Sequence, residues 1–454
     1  MDLIDAVAGN IGARSVVELS LSALFRRGHG SVMAAIAAFF RRGSGEASAR
    51  ERAAREATLC RPVAWLVPEP EAGQPWLLAV DALPVSRPYA PTLSDRGYVH
   101  QAQAVPGQKP VTVGHAYSLA TVLPARGTGE PIWAVPISAR RIESQVTPQS
   151  VAAEQIGELA TDKTMPWHDK LVVTVADSGY SQATFLAPVA AHANLVAVSR
   201  LRKNRVLYRR PKPRTPGTIG RPRKYGDRLL PGTATSLSST DQTLCTTGTV
   251  GHKAVRIRLY RWNDLLLKGQ HQGRLVVTQG DVVCATLTDH DGHYLYNHDL
   301  LLCIVGDRRA EVDTAQAYHA YRRRFDQEHA HRFLRRDLLF DAYQTPVTAH
   351  EENWITLSTL AYQMLFVARP LAEYLPRPWE PKVPVADGHP PILGPGRVQR
   401  DLPRVLRQLG TPAKSPKPRG KSPGWPKGTP KTSRDHHPVV KRGPPKPGPV
   451  RKVA

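Results

Sequence analysis

The chain has 454 residues, with 62 Lys and Arg against 38 Asp and Glu, and its sequence pI is about 10.2. This excess of positive charge favours a polyanionic partner, most simply nucleic acid; the sequence offers neither the long apolar span nor the amphipathic anchor of a membrane protein. The four cysteines are scattered and the N-terminus lacks a secretory signal pattern, so we expect a cytoplasmic protein without disulfides or zinc fingers.

Residues 1–70 are predicted to form a small helical N-terminal region. Apolar residues recur at three- and four-residue spacing over 15–27 and 31–42, and the Arg-Gly-His-Gly turn separates the two segments. Two short helices joined by a basic turn are compatible with DNA binding, which we expect here. A small packing domain is the alternative.

Two apolar segments in residues 71–202 are each followed directly by an acid. Residues 76–80 precede Asp81, and residues 171–176 precede Asp177, so both acids are predicted to lie at the ends of buried strands. Such a carboxylate is costly unless it is paired or holds a cation, although it can also cap the turn that follows. Further strands are predicted at 116–123, 132–137 and 194–199, and helices at 151–160 and 182–193. This alternation predicts an α/β fold with a mixed sheet flanked by helices.

The remainder of the chain divides by composition into three parts. Residues 203–310 are basic and rich in β-formers, with alternating runs at 253–260, 274–278 and 282–288, and are predicted to be a β-rich insertion. Residues 311–378 return to helical periodicity, with helices expected at 314–340 and 354–371. Residues 379–454 are dominated by Pro, Lys and Arg and are predicted to be a largely disordered tail.

The long helix predicted at 314–340 carries a phenol, a carboxylate and two guanidinium groups on one face: Tyr321, Arg324, Glu328 and Arg335. At 100° per residue these positions fall within an arc of about 60°. The stripe is compatible with an exposed helix stabilised by internal ion pairs. Combined with Asp81 and Asp177, however, Glu328 completes a set of three carboxylates that suits two Mg²⁺ or Mn²⁺ ions. Arg324 and Arg335 would then hold phosphates beside the reacting bond.

These residues also stand in sequence motifs. The pattern Tyr321-x-x-Arg324-x-x-x-Glu328, with a basic residue seven positions later, resembles the Tyr-Arg-Glu-Lys signature of bacterial insertion-sequence transposases of the Asp-Asp-Glu (DDE) class. Four further segments are similar to that family: 78–81 (Leu-Ala-Val-Asp), 114–118 (Gly-His-Ala-Tyr-Ser), 176–180 (Ala-Asp-Ser-Gly-Tyr) and 323–329 (Arg-Arg-Phe-Asp-Gln-Glu-His). The resemblance extends from about residue 15 to the basic tail.

The resemblance implies an RNase H-like catalytic core, interrupted by the β-rich insertion. It further implies that Asp81, Asp177 and Glu328 are the catalytic and metal-binding residues, supported by Tyr321 and Arg324. Arg335 stands where the signature has Lys, and a guanidinium fork contacts a phosphate differently from an ammonium. The implied activity is metal-dependent cleavage and strand transfer at the ends of an insertion sequence. The implied setting is a homodimer holding two double-stranded DNA ends, at the nucleoid of a bacterial cytoplasm.

Two other functional classes remain open. An inactive or domesticated descendant that only binds DNA is compatible with the short N-terminal region and with Arg335. A non-transposing nuclease of the RNase H type would cleave DNA without joining it.

Three weaker signals accompany this prediction. Arg221, Arg223 and Lys224 follow Gly220 in a Gly-Arg-Pro motif that could enter a narrow minor groove, unless it is a solvated basic turn. Trp262, at the end of a predicted strand, could stack on an unpaired base at a DNA end, unless it belongs to the core. Residues 289–293, with Cys284 and His298 nearby, contain zinc-ligand side chains, but their spacing favours a polar hairpin turn.

Overall fold

One mixed β-sheet runs through the protein in the computed structural model, which describes residues 1–40, 48–101, 110–127, 129–213, 219–231, 233–251, 253–380, 392–410, 414–415, 417–418, 426–430 and 433–441. Its strands are β1 Trp76–Ser86, β2 Gly97–His100, β3 Val111–Val122, β4 Val135–Ile142, β5 Val172–Ala176, β6 Leu195–Arg200, β7 Leu207–Tyr208, β8 Arg228–Leu229, β9 Gln242–Val250, β10 Lys253–His271, β11 Arg274–Thr288 and β12 Leu300–Val305. The helices are α1 Asp2–Ala8, α2 His29–Ala38, α3 Ala49–Cys60, α4 Pro148–Thr161, α5 Ala183–Ala190, α6 Ala234–Leu237, α7 Thr314–Asp337, α8 Thr348–Ala368 and α9 Pro395–Gln408. The predicted α/β class is thus confirmed.

The half of the sheet that contains β1 has the predicted RNase H-like arrangement. β1 pairs in antiparallel fashion with β3, and β3 does so with β4. On its other side β1 pairs in parallel with β5, which pairs in parallel with β6. The order β4-β3-β1-β5-β6 therefore places the first core strand at the centre of the sheet, where apolar residues such as Leu78 and Val80 are fully buried.

β1 is longer than its apolar run suggested. Its pairing with β3 continues beyond the apolar residues 76–80 to Ser86, opposite Gly114. A Cβ at Gly114 would lie 2.0 Å from the carbonyl oxygen of Val85, so only glycine allows this close approach of the two strands. The prediction that Asp81 ends its strand was consequently wrong, because Asp81 lies in the middle of β1.

The β-rich insertion is continuous with this sheet. β12 pairs in antiparallel fashion with β6, β11 pairs with β12, and β10 forms a long hairpin with β11. The two separate runs predicted at 274–278 and 282–288 are one strand, β11. Strands from the insertion therefore extend the sheet beyond β6, edge to edge.

The long helix α7 lies across β1 and β3 and is anchored there by a buried amide. The Gln327 Nε2 group donates to the carbonyl oxygens of Ala79 on β1, at 3.4 Å, and Leu119 on β3, at 3.1 Å, and to the Thr121 hydroxyl at 3.0 Å. Asp313 begins the helix as an N-cap, accepting a hydrogen bond from the Gln316 backbone. The predicted helix at 314–340 is thus present and fixed against the sheet.

The N-terminal region is helical, but not as two long helices. The segment predicted at 15–27 contains only a 3-10 helix, Val16–Leu21, whereas α1, α2 and α3 account for most of the remainder. These helices pack largely against α8; the Asn353 side chain on α8 donates to the carbonyl oxygen of Ile36 on α2. The region thus shares the main hydrophobic core.

Residues 379–454, predicted to be a tail, contain the helix α9. Its residues Val398 and Leu402 are fully buried, and the Trp133 indole donates to the carbonyl oxygen of Leu393 just before it. Further along, the Val440 amide donates to the carbonyl oxygen of Arg96. The disorder predicted for residues 381–391, 411–413, 416, 419–425, 431–432 and 442–454 concerns positions outside the described residues. Where the chain is described, none of its helices combines the length and apolarity needed to cross a membrane.

Candidate active site

Asp81 and Asp177 stand on neighbouring parallel strands. The last paired positions of β1 and β5 are Ala79 and Val175, and each acid lies two residues further along its strand. Parallel strands advance together, so both carboxylates occur at the same level of the sheet. Asp177 ends its strand, as predicted, and its Oδ1 accepts a hydrogen bond of 2.8 Å from the Gly179 amide.

Burial and neighbouring negative charge act together on Asp81. The pKa of Asp81 is raised to about 6. Burial is the largest cause of this rise, and the negative charges of Asp177 and Glu328 contribute to it. A hydrogen bond from the Ala82 amide at 2.8 Å and the positive charge of Arg324 oppose the shift. The two other predicted acids are therefore close enough to Asp81 to affect its ionisation.

Arg324 connects the acid of β1 to the acid of α7. Its Nη1 lies 4.0 Å from Oδ2 of Asp81, and its Nη2 donates to Oε1 of Glu328 at 2.8 Å. The guanidinium also stacks over the rings of Phe325 and Tyr321, with distances of 4.6 Å and 5.8 Å to the ring centroids. The helix stripe thus faces the aspartates, and its arginine lies between them and Glu328.

Two tyrosines border the carboxylates. Tyr321 is buried on α7, and burial raises its pKa, with the charge of Asp177 acting in the same direction. Tyr180, in the segment 176–180, is also buried; burial, Asp81 and Asp177 together raise its pKa well above the usual value. Its hydroxyl has no hydrogen-bond partner among the described residues. Sequence reasoning assigned no role to Tyr180, although the motif beginning at Ala176 ended on it.

Arg335 is half-buried, and its guanidinium is hydrogen-bonded within the protein. Its Nη2 donates to the carbonyl oxygen of Pro84 on β1 at 2.7 Å, and its Nε lies 3.6 Å from Asp341. Burial lowers its pKa. Between Arg335 and Arg324, burial and the two positive charges lower the pKa of His331 to about 3, so this imidazole is neutral at physiological pH.

The donor set fits a hard divalent cation. Three carboxylates supply oxygen ligands, and Arg324 is the cation that contacts Asp81 and Glu328. Glu328 has a half-exposed side chain whose carboxylate contacts only Arg324 among the described residues. The ligand atoms of the three acids do not all lie within 4.8 Å of one another. A shared ion would therefore need Glu328 to turn from Arg324 towards the aspartates.

One group of three ligand-type side chains in the described part of the chain meets that distance, namely Asp289, Asp291 and His293. These residues form an exposed turn after β11, in which Oδ1 of Asp289 accepts from the His293 amide at 2.8 Å. Gly292 has a φ of +87°, which suits a tight turn. The cluster is thus the polar turn that its spacing predicted. Exposed acidic groups are common in proteins without a bound metal ion.

The residues predicted to contact DNA in the insertion differ in accessibility. Arg221, Arg223 and Lys224 are exposed, and Gly220 before them has a φ of +105°. Trp262, in contrast, is fully buried, and its indole donates to the carbonyl oxygen of Ser236 at 3.2 Å. Trp262 therefore belongs to the core, and the prediction that it stacks on a DNA base was wrong.

A second charged group, missed from sequence, lies between β3 and α8 and is here termed the buried polar cluster: Arg87, His115, Tyr117 and Glu351. Glu351 on α8 accepts hydrogen bonds from Arg87 Nε at 2.8 Å and from the Tyr117 hydroxyl at 2.9 Å. Its Oε1 lies 2.6 Å from Nδ1 of His115. His115 and Tyr117 belong to the segment 114–118, so its resemblance to a family motif could have indicated them.

Comparison with known families supports the same region. A model of the family described as DDE superfamily endonuclease matches residues 2–264, more than half of the chain. The matched range includes Asp81 and Asp177 and ends before α7 and Glu328. No curated protein matches the chain.

Proposed function

The chain belongs to the DDE superfamily endonuclease family, and from this premise we propose that it is a DNA transposase, which cleaves the ends of an insertion sequence and joins them to target DNA. Enzymes of this family are nucleases that act on DNA and generally use divalent metal ions. The observation that carries the proposal is the placement of three acids, two of which, Asp81 and Glu328, contact Arg324. Asp81 and Asp177 share one level of the sheet, and Glu328 lies on the helix that crosses it.

Asp81, Asp177 and Glu328 would hold Mg²⁺ or Mn²⁺, with two ions per site. Bound there, the ions would lower the pKa of a water or DNA hydroxyl and stabilise the negative charge of the leaving oxygen. The protein's own contribution is positional. Gln327 fixes α7 on β1 and β3, and therefore fixes the height of Glu328 above the aspartates. Arg324, stacked on two rings, would contact a phosphate oxygen once Glu328 has turned away from it.

Tyr321 and Arg335 complete the proposed site in supporting roles. Tyr321 provides the ring face over which the Arg324 guanidinium is held. Arg335 connects the later turns of α7 to Pro84, three residues beyond Asp81 on β1, through a hydrogen bond from its Nη2. A phosphate that contacts Nη2 would replace the Pro84 carbonyl oxygen as its acceptor. Arg221, Arg223 and Lys224 would supply a second, minor-groove contact in the exposed part of the insertion.

The proposed partners are double-stranded DNA carrying terminal inverted repeats, and target DNA. A homodimer would hold two ends together, and the enzyme would act at the bacterial nucleoid. The positive charge of the whole chain supports rapid, salt-dependent association with such partners.

The proposal is tested by incubating the full chain with Mg²⁺, a supercoiled target plasmid and duplexes that carry the inverted repeats flanking its gene. The parent protein should cleave the repeat end and join it to the plasmid. Asp177→Asn should abolish both steps and retain DNA binding, whereas Asp169→Asn, at an exposed acid before β5, should behave as the parent. Cleavage by Asp177→Asn at the parental rate would exclude the site.

The same assay separates the alternatives. A protein that only binds DNA is favoured by one observation, the spacing of the three acids beyond 4.8 Å, and would show no metal-dependent nicking. A nuclease without transposition would cleave the duplex and leave the plasmid unjoined.

A further inference from the structure

A basic cleft of about 460 Å³ opens between the C-terminal end of α7 and the N-terminal end of α9. Its walls carry four arginines and two acids: Arg336, Arg377, Arg397, Arg400, Asp337 and Glu380. The cleft is separate from the three catalytic acids, none of which lines it.

Ion pairing leaves two of these arginines available. Arg400 makes a double contact with Glu380, at 2.8 and 3.1 Å, and Arg336 contacts Asp337 at 2.9 Å. Within the described residues, Arg377 and Arg397 form no ion pair. Their guanidinium groups instead stack over Trp379 and Tyr374, at 5.6 and 4.8 Å from the ring centroids, so both cations are held at the cleft without a direct carboxylate contact. Glu380, which is paired with Arg400, also feels the charge of Arg397.

The start of α9 adds positive potential from the backbone. Gly394 is its N-cap and offers no side-chain acceptor, so the first turn is not capped. Pro395 has no N–H, and the Arg397 amide donates to the carbonyl oxygen of Gly394 at 3.0 Å, so the Gly396 amide is the donor that this first turn offers a ligand. The partial positive charge of a helix N-terminus and such an N–H group attract an anion. A helix of 14 residues is long enough for this effect.

Gln399 gives independent evidence that a ligand belongs in the cleft. Its residue is only 5% exposed, it lines the cleft, and its Nε2 is buried without a hydrogen-bond partner among the described residues. A buried amide donor without a partner destabilises a fold, and an acceptor oxygen supplied by a ligand would remove that cost. The chemistry required is therefore anionic and rich in acceptor oxygens.

We propose that this cleft binds a phosphate group of the DNA backbone, at a point away from the bond that is cut. The identification of the ligand as DNA rests on the proposed function. Along α7, Arg336 is eight residues from Glu328, a rise of about 12 Å, which equals three to four base pairs of duplex. A duplex whose reacting phosphate lies at Glu328 thus presents a later phosphate at the level of the cleft.

The test compares three full-length variants: Arg377→Gln combined with Arg397→Gln, Gln399→Met, and a charge-matched control of Arg256→Gln combined with Arg258→Gln, two exposed arginines on β10. DNA affinity is measured by fluorescence anisotropy over a range of salt concentrations. The double variant in the cleft should lower the slope of log affinity against log salt by about one and weaken binding about tenfold near 0.1 M salt. The control should retain the parental slope, and its DNA affinity should decrease only slightly and by the same factor at every salt concentration.

Gln399→Met distinguishes ligand binding from a structural role. Because the substitution removes an unpaired buried donor, the unliganded variant should melt at the parental temperature or above it. It should nevertheless bind DNA several-fold more weakly, and should lose the increase in melting temperature that inorganic phosphate gives the parent. A lower melting temperature with unchanged DNA affinity would overturn the proposal.

The remaining outcomes separate the sources of phosphate and the two proposals. If inorganic phosphate stabilises the parent through the cleft residues while DNA affinity and slope are unchanged, the site takes a small phosphate compound and the DNA assignment is wrong. If cleft variants and control bind DNA equally and phosphate has no effect, the site does not exist. If neither the parent nor any variant cleaves DNA, but the cleft variants show the lower slope of log DNA affinity against log salt, the proposed function fails and the phosphate site stands.

Discussion

The three candidate acids and the buried polar cluster are built in opposite ways, although both lie against the same sheet. The acids stand on β1, at the end of β5 and on α7, whereas the cluster is formed by residues just after β1, on β3 and on α8. At the acids, two carboxylates share the single cation of Arg324, and burial together with the charge of Asp177 raises the pKa of Asp81 to about 6. In the buried polar cluster, one carboxylate, Glu351, is surrounded by donors, and its pKa is held below the usual value by His115, Arg87 and Tyr117 in spite of burial.

The difference separates charge that stabilises the fold from charge held for a ligand. A buried ion pair with satisfied hydrogen bonds loses stability when one partner is removed, because the other charge remains unpaired. A group of like charges gains stability when one of them is neutralised or when a cation arrives. The sign of a substitution's effect on folding is therefore a test of which kind of site a residue belongs to.

The largest effect is expected for Asp81→Asn. Cleavage in Mg²⁺ should fall a thousandfold or more, because a ligand of the metal is lost. Without metal the variant should be more stable than the parent above pH 6, by about 1–3 kcal/mol, since the folded pKa of Asp81 is raised and its ionisation opposes folding as pH rises from about 4 to 6. Differential scanning calorimetry with and without Mg²⁺ measures this, and Mg²⁺ should stabilise only the parent. If the metal-free variant is less stable than the parent, Asp81 is a charge that stabilises the fold rather than one held for a ligand.

Glu351→Gln should act in the opposite direction. Arg87 is 1% exposed and would keep a buried charge without its carboxylate, so we expect a loss of about 4 kcal/mol in the free energy of unfolding. Urea unfolding monitored by tryptophan fluorescence gives the value. Glu373→Gln, at a 63% exposed acid that contacts Arg404, should cost less than about 0.5 kcal/mol. Equal losses at the two positions would contradict the buried polar cluster as described.

Glu56 sharpens the comparison because it is buried without a strong cationic partner. Burial raises its pKa to about 7, while the Ala139 amide, at 2.7 Å, opposes the shift. Between about pH 4.5 and 7 the folded state holds more protons here than the unfolded chain, so stability falls as pH rises. Glu56→Gln should gain up to about 3 kcal/mol relative to the parent between pH 5 and pH 8. Parallel unfolding curves over this range would show that Glu56 is not shifted.

The smallest effect is expected for Tyr117→Phe, which removes one donor to Glu351 and leaves Arg87 and His115 in place. The cost should be about 1 kcal/mol in the free energy of unfolding, that of one hydrogen bond to a charged acceptor. The variant combined with Glu351→Gln should lose little beyond Glu351→Gln alone, because the two residues share the same interaction. Full additivity in the double variant would argue that the hydroxyl bonds elsewhere.

Local patterns in the sequence predicted much of the fold and the outline of the site. Apolar runs predicted β1 and β5 and placed Asp177 at a strand end, and helical spacing predicted α7 with its charged face. The end of β1 was missed because residues after Asp81 alternate around Pro84, and their pairing with β3 is a long-range property. Trp262 was misassigned for a similar reason: its burial depends on Ser236 and the insertion sheet rather than on its neighbours in β10.

Other features were hidden by distance or by composition. His115 and Glu351 are 236 positions apart, so no local pattern joins them. The helix α9 did carry a signal, since Val398, Leu402 and Val405 recur at helical spacing and are buried. The Pro- and Lys-rich surroundings obscured it. Composition describes the average of a whole segment, whereas a few apolar residues at helical spacing are enough to pack a helix against a core.

The edge-to-edge pairing of β6 with β12 has a mechanical consequence. The β10–β11 hairpin, roughly 50 Å long at strand spacing, becomes a stiff arm rooted two strands away from Asp177. A load applied at its tip passes the irregularity between Trp262 and Leu265 of β10 before backbone hydrogen bonds carry it through β12 and β6 into β5. Lengthening the hairpin should thus change only its reach, whereas a single residue inserted into β12 would invert the facing of every side chain beyond it and uncouple the arm from its root.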